Sequence, residues 1–211
     1  MSTDEWTRAA AKGGAVLIPV KAFDRAKSRL APALDPDGRT SLAQRMATHV
    51  IEVQGATPVA VACDDDLVAS WATDLGARVV WCPDTDLNGA VDAGYRELTS
   101  AGVPSIAIAH SDLPGAKPLA PLLGWPGVTI LPDRHRTGTN VMILPAGLDF
   151  EFAYGSGSFR LHVVEAVRHR CGLRIVHDRE LAWDIDHPED LDTPDAQALL
   201  RSANDDTGAS R

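Results

Sequence analysis

Ser105-Ile106-Ala107-Ile108-Ala109-His110-Ser111-Asp112-Leu113-Pro114 decides how this chain folds. Ser105 to Ala109 is small and apolar without a charge, the pattern of a strand covered on both faces. The run ends in the polar triplet His110-Ser111-Asp112, and Pro114 cannot donate to a continued ladder. Asp112 therefore stands at the C-terminal end of a central strand, the edge at which open α/β sheets bind ligands. A carboxylate in that place can also simply cap a turn, and the stretch alone leaves both roles open.

Toward the N-terminus, Ala15-Val16-Leu17-Ile18-Pro19-Val20 reads as another buried strand. Lys21, Arg25, Lys27 and Arg29 follow its end, a cluster able to neutralise a polyphosphate or to form a solvated loop. Pro32 to Gly38 is turn material. A helix is then expected over Thr40–Gln54, with Leu42, Met46, His49, Val50 and Val53 on one face. Thr57–Cys63 is a strand and Leu67–Leu75 a helix. Asp64-Asp65-Asp66 between them is read as helix-terminal acids rather than a metal cluster. Arg78–Trp81 is a strand and Ala90–Ser100 a helix, with Asn88 just ahead as a cap or as an amide that reads a ligand edge.

On the C-terminal side, a short helix is expected at Leu119–Leu123 and strands at Val128–Leu131 and Val141–Leu144. Pro132 to Asn140 between these strands is a basic, hydroxyl-bearing loop suited to an oxyanion. Gly155-Ser156-Gly157-Ser158 precedes a helix over Phe159–His169, either an anion-binding entrance or a plain capping turn. Short strands are expected at Leu173–Val176 and Trp183–Ile185. The second is expected to point Asp184 and Asp186 to opposite faces, one joining Asp112 and the other solvated or capped. His187-Pro188 opens a last helix that continues over Leu191–Leu200.

Strands alternating with helices predict an α/β fold, a mostly parallel sheet with helices on both faces. The Thr137–Leu144 region breaks the alternation and predicts an added antiparallel strand or hairpin. The expected organisation is a flexible leader over 1–13, a single domain over 14–201 and a flexible tail over 202–211.

The chain has 211 residues, 45% of them apolar, and a net charge of −9. That charge argues against a nucleic-acid groove, which needs a positive footprint. No run of about 18 or more apolar residues suggests a membrane span. The polar N-terminus lacks the apolar core of a signal peptide, so a cytoplasmic location is the expectation. Cys63, Cys82 and Cys171 have no zinc or CxxC spacing and are read as reduced, buried thiols. A homodimer is the default expectation for assembly.

Neither GxGxxG nor GxxxxGK[ST] is present. What the chain offers instead is a pair of strand-end carboxylates, a cationic loop after the first strand and a Gly/Ser helix entrance. Carboxylates with a hard divalent ion hold phosphate oxygens, and cations neutralise the remainder. This is equipment for phosphoryl or nucleotidyl transfer.

The ordered pieces resemble the 2-phospho-L-lactate and phosphoenolpyruvate guanylyltransferase family of coenzyme F420 biosynthesis. They are Ile18-Pro19-Val20-Lys21 with Ala26-Lys27-Ser28-Arg29-Leu30, Leu87-Asn88-Gly89-Ala90, Ser111-Asp112-Leu113-Pro114, and Asp133-Arg134 with Gly138-Thr139-Asn140. Gly155-Ser156-Gly157-Ser158-Phe159 with His162, and Asp184-Ile185-Asp186-His187-Pro188-Glu189-Asp190-Leu191, complete the set. The resemblance implies a GT-A-like nucleotidyltransferase fold and transfer of GMP from GTP to the phosphate of a small three-carbon acid. The acid would be phosphoenolpyruvate by preference, or 2-phospho-L-lactate or 3-phospho-D-glycerate. It further implies magnesium on Asp112 and Asp186, and acceptor contacts at Thr139, Gly155 and Ser158. Lys21, Lys27 and Arg29 would meet the triphosphate, and Asn88 the nucleoside end. His162 would orient the acceptor loop without transferring a proton. His187 departs from the family, where Thr is frequent. A sugar-phosphate nucleotidyltransferase or a cytidylyltransferase would carry a Gly-rich loop after the first strand, where this chain has Lys21-Ala22-Phe23.

Overall fold

The computed structural model describes residues 3–200. Its central strand is β1, Ala15–Pro19, in which every residue is buried. β2 (Val59–Cys63) pairs parallel on one side, with Ile18 opposite Val61. β4 (Ser105–Ala109) pairs parallel on the other, with Val16 opposite Ala107. β3 (Arg78–Trp81) extends the sheet beyond β2, again parallel. The remaining strands are β5 (Val128–Pro132), β6 (Thr139–Pro145) and β7 (Leu173–Ile175), and the spatial order is β3-β2-β1-β4-β6-β5-β7. β4 is buried throughout, as its unbroken apolar run predicts.

The antiparallel departure is β6, built into the sheet rather than hung on its edge. It runs antiparallel to both neighbours, with Ile108 opposite Met142 in β4 and Ile130 opposite Met142 in β5. β7 closes that side parallel to β5. The C-terminal end of β4 and the N-terminal end of β6 thus meet at one sheet edge, Ala109 opposite Val141, which brings Asp112 near Thr139.

Helices cover both faces. α1 (Thr3–Gly13), α4 (Leu87–Ser100) and α5 (Ser158–Arg168) pack on one, around Tyr95, Leu98, Ile106, Ile108 and Met142. α2 (Pro36–Glu52) and α3 (Asp66–Asp74) pack on the other, with Val50, Ile51, Val68 and Ala72 against Val16, Ile18 and Val61. α4 lies close on β1 because Gly94 has no side chain there: a Cβ would stand 2.7 Å from both Leu17 methyl carbons. A smaller apolar cluster of Leu30, Leu42, Met46, Ile185, Leu191 and Ala196 underpins the sheet edge that carries the carboxylates.

Several elements differ from the sequence reading. The expected flexible leader is α1, fixed because Trp6 is 3% exposed, Ala10 is fully buried and the Trp6 indole N–H donates to the Val59 carbonyl at 3.0 Å. α2 starts four residues earlier than expected, at Pro36 instead of Thr40. Asp35 caps it by accepting from the Gly38 N–H at 2.7 Å, so the Pro-Asp-Gly sequence is a first helical turn rather than a loop. α4 also starts early, capped by Asp86, which puts Asn88 inside its first turn. Asp65 caps α3, as the acidic triplet led us to expect. Trp183–Ile185 is no strand: the Ile185 N–H donates to the Asp112 carbonyl instead of to a ladder. The final helix is broken into a 3-10 turn, Pro188–Asp192, and helical residues 194–200. The expected flexible tail at 202–211 lies outside the described residues. No helix among the described residues is long and apolar enough to cross a membrane.

Candidate active site

A cavity of about 750 Å3 opens at the C-terminal edge of β1 and β4. That is a size suited to a small ligand or a nucleotide. The segment Lys21 to Arg29 supplies much of one wall. There the chain leaves β1 and makes two 3-10 turns, Phe23–Arg25 and Ser28–Leu30, with Lys27 between them in the left-handed region at φ 56°. A non-glycine residue there costs roughly 1–2 kcal/mol, so something must hold it.

The holding groups are the carboxylates. Lys27 Nζ donates to Asp112 Oδ2 at 2.6 Å, to Asp186 Oδ1 at 3.3 Å and to the Ile185 carbonyl. Burial opposes a charge on Lys27, but Asp112 and Asp186 outweigh it and hold its pKa above the ordinary range. Burial likewise opposes the Asp112 anion, and Lys27, then His110, outweigh it, so its pKa is lowered. Arg29 reaches Asp186 from the solvent side at 3.1 Å. Lys21 and Arg25 line the same cavity.

Asp184 and Asp186 both line the cavity, contrary to the expectation that they part. Residues two apart in an extended segment share a face, and it is Ile185 between them that turns into the apolar cluster. Burial first, then the charges of Asp112 and Asp186, raise the Asp184 pKa. A clamp that sequence reasoning missed fixes this segment. Arg134 donates to Asp190 Oδ1 at 2.5 Å and to the Asp184 carbonyl at 3.1 Å, and its guanidinium lies 4.3 Å from the Trp183 ring centroid. Asp190 in turn accepts the Asp186 and His187 N–H groups at 2.9 and 2.7 Å. The only local signal was an acid three residues after His187, the spacing of a capping box.

Across the cavity stand Thr139, at the start of β6, and Gly155 and Ser158, at the entrance to α5. Gly155 and Gly157 have φ of 126° and 77°, which side chains rarely tolerate. The Ser158 and Phe159 N–H groups are already taken by the Gly155 and Thr137 carbonyls. The Thr137 hydroxyl is also taken, donating to Asp133 at 3.0 Å. The hydroxyl-bearing loop therefore presents Thr139 rather than Thr137.

Asn88 does not line the cavity. Its Oδ1 accepts the Tyr154 N–H at 2.6 Å and its Nδ2 donates to the Tyr154 carbonyl at 3.2 Å. The amide expected at the nucleoside end instead splints the irregular segment that leads into Gly155.

Asp112 Oδ1 is buried without a hydrogen-bond partner. A desolvated carboxylate oxygen left open beside a second and a third carboxylate suits a hard divalent cation. Among the described residues no three potential ligands already converge on one point. Magnesium does not require that: it keeps waters and is bound through one or two carboxylates plus substrate phosphates. The residues present fit such an ion.

A family model described as Guanylyl transferase CofC like matches residues 14–193. The chain belongs to this family. The phosphoenolpyruvate guanylyltransferase of Rubrobacter xylanophilus is 34% identical over 184 residues, covering 83% of this chain and 90% of that protein. The one from Sphaerobacter thermophilus is 32% identical over 201 residues, covering 91% and 97%. Among solved structures, a protein described as a nucleotide-diphospho-sugar transferase from Desulfovibrio desulfuricans G20 superposes with a TM-score of 0.69 at 15% identity, over 90% of this chain and 95% of that one. A cytidylyltransferase from Leptospira borgpetersenii gives 0.53 at 13%, over 92% and 94%. These two likenesses establish the nucleotidyltransferase-like, GT-A-related fold. As a member of the CofC-like family, the chain is an enzyme, a nucleotidyltransferase of the guanylyltransferase type.

Proposed function

We propose that this enzyme transfers GMP from GTP to the phosphate of phosphoenolpyruvate, or of a close three-carbon analogue, and releases pyrophosphate. The product would enter coenzyme F420 biosynthesis. The observation that carries the reading is the Lys27–Asp112–Asp186 cluster facing Thr139 and Ser158 across one cavity. One wall is built for a triphosphate and the other for a small anion. The names of the relatives support phosphoenolpyruvate as the acceptor.

In this account Lys21, Arg25 and Arg29 at the cavity mouth draw in and neutralise the triphosphate. Asp112 and Asp186, with Asp184 beside them, would hold magnesium. Bound there, the ion supplies positive charge to phosphate oxygens and to the leaving group. Lys27, held between Asp112 and Asp186, would place its ammonium beside the charge that develops on the departing pyrophosphate. Thr139, Ser158 and the Gly155 turn receive the phosphate and carboxylate of the acid.

An acceptor phosphate oxygen is ionised at neutral pH, so no general base is required. It attacks the α-phosphorus in line, a new O–P bond forms, and the bond from the α-phosphorus to the bridging oxygen of the β-phosphate breaks. The electron pair leaves with pyrophosphate. His162, whose pKa burial pushes down to about 4, stays neutral and takes no proton from the acceptor.

The test is pyrophosphate release from GTP and magnesium with phosphoenolpyruvate, 2-phospho-L-lactate and 3-phospho-D-glycerate in turn, with the nucleotide product identified by mass. Release with phosphoenolpyruvate and GTP, and little with ATP or CTP, is the expected result. Release with none of the acids would overturn the acceptor class.

A further inference from the structure

Inside the acceptor wall, His162 is fully buried one turn into α5. Its Nε2 accepts the Ala153 N–H at 3.0 Å, and its Nδ1 lies 3.0 Å from Thr139 Oγ1. A backbone N–H can only donate, so Nε2 carries no hydrogen. The single hydrogen of the neutral ring is then on Nδ1 and is donated to Thr139 Oγ1. The Thr139 hydroxyl, with an oxygen already occupied by that donor, has its own hydrogen left for the cavity that it lines. Tyr154, edge-on with ring centroids 4.7 Å apart, and Phe150 at 6.0 Å fix the plane of the imidazole.

We propose that His162 is a positioning residue, which orients the Thr139 hydroxyl as a one-way hydrogen-bond donor to the anionic group of the acceptor. The chain of bonds runs from the Ala153 N–H through the imidazole to the Thr139 hydroxyl and out to the ligand. Each link polarises the next. The same ring ties the segment before Gly155 to the start of β6, so both acceptor-binding elements keep one spacing. The inference rests on the reading that Thr139 meets the acceptor. Burial keeps the ring neutral, with the charge of His110 acting in the same direction and that of Glu165 against it.

Two measurements test it. Long-range 1H–15N spectra should show the His162 hydrogen on Nδ1 with no titration between about pH 5.5 and 8. A hydrogen on Nε2, or a midpoint inside that range, overturns the relay whatever the acceptor is. In kinetics, His162→Phe (H162F) should raise the KM for the acceptor roughly 10- to 100-fold while the KM for GTP changes less than about twofold. The double variant with Thr139→Val (T139V) should be no worse than T139V alone. His162→Asn (H162N), whose amide nitrogen can stand in for Nδ1, should recover part of the loss only when Thr139 is present. Additive losses, or an equal rise in the KM for GTP, would reduce His162 to packing and overturn the proposal. Inorganic phosphate binding gives the same comparison without turnover. H162F should weaken it about tenfold, and unchanged binding contradicts the inference even if all three acids fail as acceptors.

Discussion

Lys27 Nζ lies 2.6 Å from Asp112 Oδ2 and 3.3 Å from Asp186 Oδ1, so a lysine ammonium joins the two carboxylates while Asp112 Oδ1 stays without a partner. In the proposed account a divalent ion on these carboxylates would meet the positive charge of this ammonium. Lys27→Met (K27M) should therefore bind Mn2+ more tightly in the absence of nucleotide, by about tenfold, while guanylyl transfer falls. Calorimetric or paramagnetic titration with Mn2+ checks this. An unchanged or weaker affinity would mean that the Lys27 charge does not oppose a cation at these carboxylates.

Asn88 braces the backbone of Tyr154 rather than facing the cavity. Asn88→Ala (N88A) should loosen the approach to Gly155 and raise the KM for the acceptor acid by about tenfold, with the preference for GTP over ATP unchanged. A shift in nucleotide preference would return Asn88 to the nucleoside end, where the sequence reading had it.

Arg134 holds Asp190 and the Asp184 carbonyl while its guanidinium covers Trp183, three contacts that a lysine cannot make together. Arg134→Lys (R134K) should lower the stability by about 2–4 kcal/mol and reduce turnover, because Asp190 orients the Asp186 backbone. Urea unfolding and pyrophosphate release measure the two effects. A loss of turnover with unchanged stability would point to a direct role for Arg134 at the substrate.

Stability should depend on pH through four groups. The folded pKa of Asp112 lies below its ordinary 3.8, so its contribution is complete above that value and is lost as pH falls through the folded one. The folded pKa of Lys27 lies above 10.5, so its contribution is complete below that and is lost as pH rises further. Asp184, with a raised pKa, costs stability that builds as pH rises above its ordinary 3.8, against the trend of His162. His162 acts between pH 6.5 and about 4, where the unfolded chain takes up a proton that the folded chain refuses. Stability should fall through that range as pH drops, with a slope approaching about 1.4 kcal/mol per pH unit. H162F should flatten this segment in urea melts between about pH 7 and 4.5. A slope equal to that of the unaltered protein would show that His162 does not carry it.

Local pattern made some of this legible and long-range contact hid the rest. The uncharged run before His110 announces a buried strand, and the carboxylate at its end follows from that alone. Lys27 was legible as one cation among several, but its left-handed backbone is explained only by Asp112 and Asp186, which lie 85 and 159 positions away in the chain. Asn88 misled because Asp86, two residues earlier, is an equally good cap and wins, moving the helix start upstream. Trp6 misled for the opposite reason. A single tryptophan among polar residues and alanines carries little periodic signal, yet its ring and its bond to Val59 fix α1 on the sheet. Asp184 and Asp186 needed only the period of two applied correctly.

The most direct measurement is guanylyl transfer by Asp112→Asn (D112N) and Asp186→Asn (D186N), with saturating magnesium, GTP and the acceptor that supports turnover. Each substitution keeps the shape of the side chain and removes a charge that, in the proposed account, gathers cations around the triphosphate. Pyrophosphate release is expected to fall at least about 100-fold in D112N, with the folded structure retained by circular dichroism. Full turnover by both variants would contradict the assignment of the reaction to this carboxylate cluster.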